Sequence, residues 1–200
     1  MKSTAGRLLV LLTLASVGCS DDGSGPAGVQ HPSGAITFDY LGPRDGSFSA
    51  VGAIRLDDNG DPMSGEWAAG AVSTDDPDSF GAVGFDLATG DRGDIFLIGF
   101  EGLEGPGTFD FDGTCTETSQ CPFLLFAMDT TLDGVETDVA WLCSLDIGTA
   151  TVTELSADRL AGTFSGAGAC LSATSFQVIV VSNGTFNVPI VDEYSIGDIS

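Results

Sequence analysis

Lysine is absent after position 2, and the one histidine, His31, sits directly before a proline. These two scarcities exclude a wide range of chemistry. Ser-His-Asp and Cys-His sites need an imidazole held by the fold, as do zinc sites built on histidine. Schiff-base catalysis and the phosphate-binding P-loop need a lysine. Basic residues of any kind are few: six lysines and arginines stand against 29 acids, a net charge of −23. Such a surface repels nucleic acid and anionic lipid headgroups. There is no apolar run of the length of about 20 residues that a membrane-spanning helix needs, no long amphipathic helical pattern and no CxxC pair.

The first residues are what the rest of the chain is not, cationic and uniformly apolar. Lys2 and Arg7 precede "LLVLLTLA", Leu8 to Ala15, and small residues follow. These are the three parts of a secretory signal, placed over residues 1–18. The stretch Ser16-Val17-Gly18-Cys19 resembles the lipobox of bacterial lipoproteins, with Ser16 standing where that family prefers leucine. The resemblance implies cleavage before Cys19, acylation of its sulfur and attachment to a membrane through the acyl chains. Ser20 in place of an aspartate after the cysteine implies sorting to the outer membrane, on its periplasmic or surface face. Each buried CH₂ of such an anchor contributes about 0.8 kcal/mol. Residues 19–34, rich in Gly, Ser, Pro and Asp, have almost nothing to bury and read as a disordered tether. With Lys2 and Arg7 gone, four arginines remain against all 29 acids.

An acidic chain is often a disordered one, but 42% of this sequence is hydrophobic and 13 residues are phenylalanine. Past the tether, short runs of β-branched and aromatic residues alternate with turn residues. They include "AITFDYL", "FGAVGFDL", "DIFLIGFE", "PFLLFAMD", "DVAWLCS", "TATVTELS", "RLAGTFSGAG", "SFQVIVVS" and "GTFNVPI". The expected fold is all-β, an antiparallel sandwich or a meander or barrel-like domain over residues 35–190, with residues 191–200 as a tail or edge strand. Asn59-Gly60 is a tight-turn signal, and Asn183-Gly184-Thr185 reads as a turn as well. The tripeptide Gly-[Ser/Thr]-Phe recurs at Gly46, Gly107, Gly162 and Gly184, at unequal separations. It reads as a strand entry: glycine leaves the turn, the hydroxyl faces out, the phenylalanine goes in. "ATVTELSADRLAGTFSGAG" and "SNGTFNVPI" resemble the closing strands of β-rich domains in bacterial lipoproteins, a resemblance over about the last third of the chain that brings no activity with it.

Setting Cys19 aside, four cysteines remain, an even number in an exported chain. Cys115 and Cys121 flank a five-residue loop. Cys143 shares an alternating face with Val139 and Trp141, and Cys170 shares one with Leu160, Gly162 and Phe164. The expected pairs are therefore Cys115–Cys121 and Cys143–Cys170.

Carboxylates are the remaining chemistry. A glycosidase needs two of them, and Glu66 beside Trp67 and Glu101 among apolar neighbours are the pair to consider, with Trp67 and Trp141 as sugar-stacking faces. Hard-oxygen ligands for calcium cluster in "DDNGD" (Asp57, Asp58, Asn59, Asp61), "TDDPD" (Asp75, Asp76, Asp78) and "DFDG" (Asp110, Asp112), though none keeps the EF-hand register. Asp, Asn, Gly and Pro also simply make turns. The reading these features favour is an exported, lipid-anchored, non-enzymatic binding or structural module of the cell envelope, with an envelope protein or glycan as partner. A carboxylate-based enzyme acting on polysaccharide and a lipocalin-like carrier of an apolar ligand are the alternatives.

Overall fold

A computed structural model describes residues 33–52, 69–73, 80–86, 92–112, 121–132 and 137–191. Ten strands and no helix occupy them: β1 (Gly34–Leu41), β2 (Gly46–Gly52), β3 (Ala69–Ser73), β4 (Phe80–Asp86), β5 (Arg92–Glu101), β6 (Gly107–Asp110), β7 (Cys121–Leu132), β8 (Thr137–Leu155), β9 (Arg159–Leu171) and β10 (Phe176–Val191). The fold is all-β, and the sheet nearly closes into a barrel. The strand path β10-β3-β4-β5-β7-β8 is joined back to its start by β9, which pairs with both β8 and β10. Every ladder is antiparallel except one, the two-residue parallel contact of Ile190 and Val191 with Ala71 and Val72. The β1–β2 hairpin extends the sheet beyond the same edge of β10, and β6 lies against the second half of β8.

Alternation explains the inside. Along β1 the burial runs with period two, so Ile36, Phe38 and Tyr40 point in while Thr37 and Asp39 point out. The same rule buries Phe48, Phe96, Phe126, Phe164 and Phe186. Phe38 lies at the centre, with ring centroids 4.9 Å from Phe48, 5.0 Å from Phe96 and Phe126 and 5.6 Å from Phe164. At these separations the rings are in contact, and edge-on and offset pairs fill the space between the walls.

Cys143 and Cys170 are bonded, as the alternation predicts: they face each other in the β8–β9 register and both point into the core. The Cys115–Cys121 pairing, and the expectations resting on Cys19, His31, Asn59 and Glu66, lie outside the described residues.

Two expectations about strand ends are corrected. "DVAWLCS" and "TATVTELS" are one strand, β8, and "SFQVIVVS" and "GTFNVPI" are one strand, β10. The turn signals between them are absorbed as bulges. The register shifts between Leu145 and Ile147 and between Val181 and Gly184, with Asn183 in the left-handed region at φ 55° and Gly148 at φ 136°. A β-bulge needs the same backbone freedom as a turn, so asparagine and glycine serve either. At Gly148 glycine is also a packing requirement, since a Cβ there would lie 2.2 Å from the Ser165 carbonyl oxygen. For the same reason Gly162 and Gly184 stand inside β9 and β10, whereas Gly46 and Gly107 do open β2 and β6.

Candidate functional site

Outward residues of β2, β1, β10, β9, β8 and β6 form one continuous face, because these strands neighbour one another in that order. Along a single register line across it stand Ser49, Thr37, Thr185, Thr163, Thr151 and Thr108. Three of these hydroxyls, Thr108, Thr163 and Thr185, come from the Gly-[Ser/Thr]-Phe tripeptides, whose phenylalanines point inward. At about 4.8 Å per strand the line is about 24 Å long. Neighbouring hydroxyls bond at two steps of it, Thr37 with Thr185 at 2.9 Å and Thr108 with Thr151 at 3.0 Å. Beside it stand Ser47, Asp39 and Ser182 in one register line and Ser165, Thr149 and Asp110 in another, the two separated by the β10 bulge between Val181 and Gly184. The Asn183 amide, turned out by the β10 bulge, donates to Asp39 Oδ2 at 2.9 Å. Between these lines, over β8, β9 and β10, lies an open groove of about 390 Å³, lined by Thr149, Thr163, Phe164, Ser165, Asn183, Gly184 and Thr185.

Charge is almost missing from the middle of this face, β9 and β10, whereas Asp39, Asp110, Asp146 and Glu154 stand exposed on β1, β6 and β8. The 13 residues of β9 and the 16 of β10 include one charged side chain, Arg159, in a protein of which 18% is charged. Arg159 is itself bonded to Asn187 on the neighbouring strand. Towards the far end of β1 the face turns apolar: Leu41, Ile147, Leu171, Phe176, Val178 and Val180 are 43–66% exposed there.

The chain's other polar cluster is structural. Arg44, in the β1–β2 turn, donates through Nη2 and Nε to the Tyr40 hydroxyl at 2.9 and 3.2 Å, through Nη1 to Asp129 at 3.0 Å, and to the carboxylate of Asp94. Asp94 in turn accepts the Asp129 backbone N–H at 3.0 Å, where a bulge in β7 holds Asp129 at φ 52°. Asp94 thus satisfies an amide that the ladder leaves out. Burial raises its pKa above the ordinary carboxylate value, more than the Asp129 amide and Arg44 lower it. Between the ordinary and the raised value only the folded chain holds the proton, so stability falls with rising pH across that interval. Asp94→Asn is expected to remove that decline, read as urea midpoints of both proteins from pH 3.5 to 7; parallel curves would contradict it.

The residues singled out in the sequence are scattered. Glu101 is exposed at the end of β5, opposite Cys121, and Trp141 is half-buried against the core. Glu66 and Trp67, and the calcium candidates Asp57, Asp58, Asn59, Asp61, Asp75, Asp76 and Asp78, lie outside the described residues. Asp110 is exposed on β6, in register with Thr149. Among the described residues no three His, Cys, Asp or Glu side chains converge as metal ligands, and no helix is long and apolar enough to cross a membrane. The hydroxyl lines have no local sequence signal, because they depend on β1 lying beside β10 and β8 beside β6, strands that do not follow one another in the chain. No family model, no curated protein and no solved structure matches this chain.

Proposed function

We infer that this protein is an exported, lipid-anchored module of the cell envelope, held to the outer membrane through Cys19, that binds a partner on the outside of its barrel and carries out no reaction of its own. The observation that carries the reading is the uncharged face across β9 and β10. A chain with 29 acids places charge on its solvated surfaces by default, and a broad stretch free of it marks a surface kept for contact. The packed rings around Phe38 weigh against a carrier, which needs space where these side chains touch. The apolar end of the face, from Leu41 to Phe176, is of the kind that covers itself with a partner.

Anchoring is tested in the native cell. The mature protein is expected to fractionate with membranes and to carry acyl chains on an N-terminal cysteine by mass spectrometry. Cys19→Ser is expected to leave the leader uncleaved. A soluble chain retaining its initiator methionine would overturn the reading.

A further inference from the structure

We propose that the groove between the hydroxyl lines, over β8, β9 and β10, binds a neutral polysaccharide chain, laid across these strands in the direction that leads from β1 towards β6. This deepens the binding-module reading and rests on it. Three features select the ligand. First, the groove offers hydroxyls and an amide and no charge: Thr149, Thr163, Ser165, Asn183 and Thr185 line it, with Phe164 and Gly184 between them. Asp39, beside it, already accepts from Asn183. Side chains that both donate and accept match a ligand whose own groups are hydroxyls.

Second, the surrounding protein is strongly acidic, with a net charge of −23, which disfavours anionic polymers at ordinary ionic strength and leaves neutral ones unaffected. Third, the donors repeat. Six hydroxyls at even spacing suit a ligand that repeats along its length. Adjacent strands are rotated by about 20–25°, so across the five steps from Ser49 to Thr108 the line turns by about 100–125°. A rigid planar surface such as an ice face meets only part of a line that turns so far, whereas a chain with rotatable linkages follows it. Thr163 and Ser165 are the central contacts. Both are exposed, and among the described residues neither hydroxyl has a hydrogen-bond partner.

Affinity electrophoresis of the full chain in neutral detergent tests this, in native gels cast with hydroxyethylcellulose, dextran or galactomannan, and with alginate as the anionic counterpart. Retardation is expected in at least one neutral gel and not in alginate. Thr163→Val, which keeps the shape and removes the hydroxyl, is expected to weaken binding about five-fold, the effect of one lost hydrogen bond. Thr163→Val with Ser165→Ala is expected to abolish retardation at unchanged melting temperature. Thr174→Val, a hydroxyl lost from the β9–β10 turn off the face, is expected to bind as the parent does. Parent mobility unchanged in all three neutral gels overturns the proposal, as does a folded double variant that is still retarded, or retardation by alginate alone. None of these outcomes bears on the acyl anchor, which the mass of the mature terminus decides separately.

Discussion

Replacing Phe38 with alanine is expected to cost about 3–5 kcal/mol of folding stability. Phe38 is 2% exposed and touches rings from β2, β5, β7 and β9, so the hole left behind is bounded by walls that belong to four other strands. Side chains can relax into a cavity when one neighbour is free to lean in. Here each neighbour is itself wedged: Phe96 stacks on Phe164 at 5.1 Å, and Phe48 meets Phe126 edge-on at 5.7 Å. Domains of this size are stable by about 5–15 kcal/mol, so the variant stands near the edge of folding. Urea unfolding followed by tryptophan fluorescence measures the loss. Phe38→Leu is the companion variant, expected to lose less because it fills more of the same space. A loss below about 1 kcal/mol for the alanine variant would mean that the barrel interior is not packed as described.

A second expected loss follows removal of the Cys143–Cys170 bond. The bond closes a loop 27 residues apart in sequence, for which the chain-entropy argument gives about 3.5 kcal/mol. Cys143→Ala with Cys170→Ala is the informative variant, since one alanine alone leaves a free buried thiol. Both sulfurs lie in the core, at 1% and 0% exposure, so reductant reaches the bond only when β8 and β9 part. Two measurements follow from this: the urea midpoint falls in the double variant, and thiol labelling of the parent under reductant proceeds at the rate of unfolding. Rapid reduction of the folded protein would place the bond at the surface.

Much of this was legible in the sequence, for a physical reason. A strand in a one-sided sheet writes its two faces into alternate residues, and β1 carries that signature undisturbed. It also told which way Cys143 and Cys170 point, and so which two sulfurs meet. The lengths of β8 and β10 were hidden because Gly148 and Asn183 meet the requirements of a bulge and of a turn equally well. The cluster around Asp94 was hidden because its partners Arg44 and Asp129 are 50 and 35 residues away, and nothing local to Asp94 marks a carboxylate that will be buried. The hydroxyl face belongs to neither case. Each threonine in it is unremarkable on its own strand, and only the order β2-β1-β10-β9-β8-β6 turns six separate outward positions into a line.

The joint between β10 and β3 has a bearing on how the molecule moves. Among the described residues two paired positions close the ring there, while the β9–β10 and β8–β9 ladders each run for a dozen. A closed cylinder resists shear because every junction must give way together; a cylinder with one short junction behaves as a rolled sheet with a clasp. Breathing motions concentrate at the clasp, the wall formed by β8, β9 and β10 stays rigid, and the threonine line keeps its spacing while the opposite side of the barrel loosens.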